Sequence, residues 1–326
     1  MPKQHITKRK KITIAITLST LLTGGILYQL ADRYLIQHVE VVVADQAVSG
    51  AEANTEAVST AAAADSNEAG QDSPEAVSDD WNYSSDDMDI SLKQVTTGRG
   101  SDQITYYIAD VQVSDASLIQ SAFADNAFGR NITGDTSDIA EDHDAVFAIN
   151  GDYYGFRSDG VIIRNGVLYR NEPAREAVAL YADGTMASYD EKEVSAENLL
   201  ADGVLQTLSF GPALIKDGET VQDLNNVKID TNFGNRSISN ANPRTGIGMI
   251  SANHYVFVVV DGRSDDSRGM TLDEFAGLFK SLGATEAYNL DGGGSSTMYF
   301  MGRVVNNPQG RQEERGVSDI LYLGEG

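Results

Sequence analysis

From Tyr255 to Asp291 the chain holds a stretch whose fold is tightly constrained: "YVFVVV" is an apolar strand, "TLDEFAGLFKSLG" a helix and "ATEAYNL" a second strand. The helix opens with Thr271 and Glu274 as a capping box. It sets Leu272, Phe275, Phe279 and Leu282 on one face and stops at Gly283 in the C-cap position. This order makes a β-α-β unit, whose strands run parallel through a right-handed crossover. Parallel strands end on the same side. Asp261, directly after Val260, and Asp291, directly after Leu290, are therefore predicted at one edge of a sheet, where open α/β sheets bind ligands.

Behind Asp291 stands "GGGSST". Three consecutive glycines sacrifice conformational entropy on folding, so they are expected where something must come close to the backbone. A bare Asp-Gly turn is the plain alternative. The layout recurs upstream, where the apolar run "DAVFAI" ends in Asn150, Gly151 and Asp152. "QITYYIADVQV", "GVIIRNGVLYR" and "AVALYADGTMASY" read as strands, the last two folded at Asn-Gly and Asp-Gly turns. The expected class is α+β: a strand-rich mixed-sheet domain over residues 95–326 with the β-α-β unit near its C-terminus.

The other end of the chain is different in kind. A basic segment, residues 1–11, precedes about 20 uncharged residues over 12–31, long enough for a helix of ~1.5 Å rise per residue to span a bilayer. Lys8 to Lys11 on its flank place that flank inside the cell. The reading is an uncleaved signal-anchor, with a single-pass membrane location and the domain extracellular. A cleaved signal is the alternative. Residues 32–90 read as a disordered tether, rich in Ala, Ser, Asp and Glu, and too poor in apolar residues to fold. From Asp45 to Asp89 there are twelve acidic residues and no Lys or Arg, half of the formal net charge of −24. The remainder is also acidic, which excludes nucleic acid as a partner. There is no cysteine, hence no disulfide and no thiolate metal site.

Which chemistry fits? Ser295 and Ser296 lack a nearby base. His143 and His254 each stand at the start of an apolar run, and His254 lies about 23 Å along an extended strand from Asp261. "GGGSST" lacks the lysine of a phosphate-binding loop. Carboxylates and arginines remain. Asp261 and Asp291 can form a pair of the kind that cleaves glycosidic bonds. Arg244, Arg263, Arg268 and Arg315 stand near the same elements and suit an anionic substrate.

"INGDYYG", "FGPALIKDGE", "NPRTGIG", "FVVVDGRSDDSRGMTLDEFAGLF", "AYNLDGGGSSTM" and "RGVSDILYL" occur in the order expected of the phosphodiester glycosidase family, which the chain resembles from about Val95 to Leu323. The resemblance implies hydrolysis of a sugar-1-phosphodiester, such as a GlcNAc-1-phosphodiester, between sugar and phosphate. It also implies an extracytoplasmic compartment and, among bacterial relatives, exopolysaccharide or cell-wall glycan as the polymer. On this basis Asp291 acts as nucleophile or base with Asp261 as partner, and Arg244 and Arg315 hold the phosphate. Asn150 and Asn289 orient sugar hydroxyls, and Gly292, Gly293 and Gly294 let the ring approach. Gly151, Thr245, Arg268 and Ser295 complete the binding set. Asp152, an added carboxylate relative to the animal member, is either a further acid or, with Asp261 and Asp291, part of a cation site of the calcium type. No cofactor is required by the sequence. A carboxylate-metal phosphodiesterase and a non-catalytic wall-polymer binding module stay open.

Overall fold

In a computed structural model, residues 8–43, 76–229 and 238–325 are described, with backbone alone for 8–16, 18, 33 and 34. Two antiparallel sheets stack face to face. The larger has nine strands in the order Glu219–Thr220, Ala213–Lys216, Glu286–Asn289, Arg244–Ser251, His254–Val260, Ile104–Val113, Met88–Thr97, Asn82–Ser84 and Val77–Ser78. The smaller has five, in the order Arg303–Val304, Met298–Phe300, Ala145–Asn150, Asp319–Gly324 and Gln120–Phe123.

The His254–Val260 strand is apolar throughout because both of its faces are covered. Tyr255, Phe257 and Val259 join the core between the sheets, where the Phe257 and Phe147 rings lie 5.1 Å apart. Val256, Val258 and Val260 pack with Phe275 and Phe279 of the Leu272–Ser281 helix. That helix can sit so close only because the strand beneath it carries Gly246 and Gly248: a Cβ there would come within 2.8 and 2.7 Å of the two rings. On the far side Ile139 and Ala140 of the Thr136–Asp142 helix cover Ala148, Tyr299 and Ile320 of the smaller sheet. The result is helix, sheet, sheet, helix. A three-stranded sheet, a hairpin and the Ala196–Ala201 helix pack beside this body around Val161, Ala179 and Leu199.

The α+β, strand-rich class and the capping box of Thr271 and Glu274 are present as expected. The two strands of the β-α-β unit do run parallel, but they do not touch. Arg244–Ser251 lies between them, antiparallel to both. Asp261 and Asp291 still emerge on one side, each from its own side of that inserted strand.

Three expectations for the N-terminal third change. First, among the described residues no helix is long and apolar enough to cross a membrane. Residues 12–31 fall within one helix, Lys8–Tyr34, but the expected span lies partly on side chains outside the description. In the described part Thr17, Ser19, Thr20, Gly24 and Gly25 dilute the apolar run. Second, the sheet begins well before residue 95. Met88–Thr97 pairs along its whole length with Ile104–Val113, and Tyr83, Met88, Ile90 and Leu92 are buried. The alternation Met88, Ile90, Leu92 is a strand signal that the surrounding aspartates mask in composition, because Asp89 points outward on the same strand.

Third, part of the expected tether is docked. His38–Val42 pairs antiparallel with Ala127–Arg130, a strand with no other strand partner among the described residues, and Asn131 Nδ2 donates to the carbonyls of Asp32 and Ile36. The rest, residues 44–75, lies outside the described residues. Both flanks of that segment are therefore held on the domain. Proteolysis between residues 44 and 75 is expected to leave the N-terminal fragment bound, with both fragments co-eluting in gel filtration. Separation of the two without denaturant would show that the strand pairing does not hold them.

Candidate active site

Three segments meet where the two sheets end. Asn150 closes a strand of the smaller sheet and is wholly buried. Its Nδ2 donates to the Asp291 carbonyl at 2.8 Å, while its Oδ1 accepts from Thr245 Oγ1 at 2.7 Å and from the Thr297 amide at 3.3 Å. One side chain thus ties the strand ends at Asn150 and Thr245 to both ends of the glycine loop. Asn289 is buried as well and donates to the carbonyls of Gly211 and Leu290. The sugar-orienting role expected of these asparagines is corrected: both are saturated or sealed inside, and they build the loop.

On this base Asp291 is 7 % exposed. Its Oδ1 accepts from the Gly292 amide at 3.0 Å, and its Oδ2 from Ser295 Oγ at 2.7 Å and Arg315 Nη2 at 3.2 Å. Burial pushes its pKa up. Arg315, the Ser295 hydroxyl, Arg157 and the Gly292 amide all act against that rise. The Arg315 side chain is about half exposed, so it lies across the mouth of the site.

The glycines serve these arginines. Gly293 has φ +67°, and a Cβ there would come to 3.0 Å from Arg263 Nη2; at Gly294 a Cβ would meet Arg315 Cδ at 3.1 Å. Gly292 packs against the Pro243 carbonyl, where a Cβ would sit 2.8 Å away. Two cations therefore lie over adjacent glycines. Arg157, a third, is 5 % exposed, stacks over the rings of Tyr153 and Phe210, and donates to the Ser209 carbonyl at 2.7 Å. Arg263 was among the arginines read from the sequence as suiting an anionic substrate, whereas Arg157 was not. "YYGFRSDG" held Arg157 next to the Asn150 motif, which was the signal available for it.

Asp261 belongs to a separate network. Its Oδ1 accepts from Asn306 Nδ2 at 3.0 Å and from the Asn307 amide at 2.9 Å, and burial pushes its pKa up against those donors. Two strand spacings of ~4.8 Å put the ends carrying Asp261 and Asp291 about 10 Å apart. Asn306 ties Asp261 to the loop that follows Asp291, donating also to the Ser296 carbonyl.

Other expected site residues are elsewhere. Asp152 accepts from the amides of Tyr154 and Ser209 and pairs with Arg164 at 3.2 Å, and Arg164 pairs in turn with Asp319 at 2.8 Å. Gly151 packs on Asp319, whose Oδ1 would stand 2.2 Å from a Cβ. Arg268 grips both oxygens of Glu274, the capping residue, whose pKa it pulls down to about 2. Arg244 is buried and directs its Nε to the Met270 carbonyl and its Nη2 to those of Ile238 and Asn240. Desolvation lowers its pKa to about 10, so it keeps its charge at neutral pH while clamping backbone. The three carboxylates suggested for a calcium-type site occupy three different networks. Among the described residues no group of three or more His, Asp or Glu side chains could hold a metal, so the donors present do not fit such an ion. His143 and His254 stay away from the site: His254 pairs with Asp110 at the far end of its strand, and His143 bonds the Ile139 carbonyl and Asn126.

A carboxylate desolvated beside arginines thus stands at the meeting edge of the two sheets. The phosphodiester glycosidase profile matches residues 143–323, more than half of the chain, and the chain belongs to that family. It is 33% identical over 243 residues to the SPbeta prophage-derived uncharacterized protein YomE of Bacillus subtilis, covering 68% of this chain and 36% of that one. It is 28% identical over 155 residues to the Bos taurus N-acetylglucosamine-1-phosphodiester alpha-N-acetylglucosaminidase, covering 44% and 29%. The chain thus spans about a third of the length of these curated relatives. The fold is similar to that of the zebrafish N-acetylglucosamine-1-phosphodiester alpha-N-acetylglucosaminidase catalytic domain, solved auto-inhibited by its pro-peptide. There the TM-score is 0.59 at 21% identity, over 74% of this chain and 85% of that one.

Proposed function

We propose that the protein hydrolyses a sugar-1-phosphodiester, such as a GlcNAc-1-phosphodiester, at the bond between C1 and the phosphate oxygen. The observation that carries this reading is Asp291, buried and paired with Arg315, with Arg157 near enough to act on its charge and Arg263 beside Gly293 of the same loop. A phosphate entering the mouth competes with Asp291 for Arg315. As Arg315 turns to the phosphate, Asp291 loses its ion-pair partner and becomes the negative charge facing C1, either attacking it or taking the proton of the attacking water. The phosphate leaves with its charge held by arginines, so a strong general acid is not needed. The substrate is a glycan polymer outside the cytoplasm. This placement rests on the family to which the chain belongs.

UDP-GlcNAc separates the readings. C1–O cleavage releases free GlcNAc and intact UDP, the expected result. A metal phosphodiesterase would release GlcNAc-1-phosphate and UMP and would stop in a chelator, although the three separated carboxylates disfavour it. Binding without turnover would make this a polymer-binding module and overturn the proposal.

A further inference from the structure

A groove of about 290 Å³ opens beside Asp261, between the outer end of Met88–Thr97 and the loop that follows His254–Val260. We propose that it is a second sugar subsite, taking a neutral, hydroxyl-rich unit of the same glycan next to the unit whose C1 reacts at Asp291. The inference rests on the glycosidase reading for the position of the reacting unit, and on the groove's own chemistry for its ligand.

Its lining is amide, hydroxyl and carboxylate: Gln94, Thr96, Gln103, Thr105, Asn307 and Asp261. Among the described residues no arginine or lysine lines it, and Asp266 adds a second carboxylate, so a phosphate is repelled. Sugar hydroxyls both donate and accept, and this set offers both kinds of partner. Asp261 is 5 % exposed and uses Oδ1 for Asn306 and Asn307, and among the described residues Oδ2 has no hydrogen-bond donor. Asn307 and Ser267 frame it, the latter donating to the Asp261 carbonyl at 2.6 Å. The volume is at the small end of ligand sites, which begin at about 300 Å³, and suits one sugar unit better than a chain.

The position fits the same substrate. Asp261 stands about 10 Å from Asp291 by strand spacing, too far to share a bond but within reach of a neighbouring unit. The two places share a wall. Asn306 bonds both Asp261 Oδ1 and the Ser296 carbonyl of the glycine loop, and Arg263, two residues beyond Asp261, lies over Gly293. One end of the cleft is thus cationic and suited to phosphate, while the other is acidic and amide-rich and suited to an uncharged sugar.

The test uses the full chain and two readouts. In equilibrium titration, the neutral N-acetylglucosamine trimer is expected to bind, and the double variant Gln94→Ala, Thr96→Val, on an exposed part of the strand, to weaken binding at least tenfold. In turnover, the wild type is expected to favour UDP linked to that trimer over UDP-GlcNAc in kcat/KM, and the variant to lower that ratio at least tenfold. No trimer binding by the wild type, or binding and ratio both unmoved in the variant, would overturn the subsite. Variant-sensitive trimer binding without cleavage of either donor would uphold the groove and instead refute the glycosidase reading.

Discussion

Asp291→Asn is expected to lower kcat by at least ~10²-fold, about 2.7 kcal/mol at ~1.36 kcal/mol per decade, with little change in Tm. Asparagine keeps the volume, and its Oδ1 can still accept from the Gly292 amide while its Nδ2 donates to Ser295 Oγ, so the loop built on Asn150 should persist. What disappears is the charge. The Asp291–Arg315 pair contributes little to stability because Arg315 is half exposed and its attraction is screened. A merely structural Asp291 would show the opposite pattern, with kcat kept and Tm lowered, and that pattern would remove it from the chemistry. Initial-rate kinetics and a thermal melt on the same preparation decide between them.

Arg164→Met is expected to cost roughly 3–5 kcal/mol of stability, the range for removing one partner of a buried ion pair. Arg164 is 1 % exposed and stands between Asp152 and Asp319, which are buried to a similar degree. Burial pushes the Asp319 pKa up to about 7, while Arg164 pulls against that rise. Its unfolded value is ~3.9, so between roughly pH 4 and 7 the native state holds a proton that the unfolded chain has released. Stability therefore falls as pH rises through this window. Without Arg164 the native pKa climbs further, and the decline should continue above pH 7. Urea unfolding at pH 5, 7 and 8.5 should give a wild-type minus variant difference that widens with pH. A constant difference would mean that Asp319 does not titrate in this window, and no difference would mean that the triad is not a stabilising element.

The parts of the site that were legible in the sequence were those encoded locally. Thr271 and Glu274 cap a helix three residues apart, whatever surrounds them. The shared edge of Asp261 and Asp291 followed from the handedness of a strand-helix-strand unit and survived the insertion of a strand between them. The aspartates around Met88, Ile90 and Leu92 hid a strand because composition averages over both faces, whereas burial acts on alternate residues.

Read alone, the sequence determined the family, the strand-rich class, the capped helix and the carboxylate at the head of the glycine loop. The tertiary structure alone decided which charges face one another. Asp152 turned from a candidate acid into part of a buried triad because Arg164 and Asp319 reach it from two other strands. Arg244 and Arg268 were drawn off to carbonyls and a helix cap, Arg263 stayed beside the glycine loop, and Arg157 came in as well. The physical reason is range. Caps and periodicities act over a few residues of contiguous chain, but an ion pair forms between whichever charges folding brings within about 4 Å, and here its members are up to 155 residues apart.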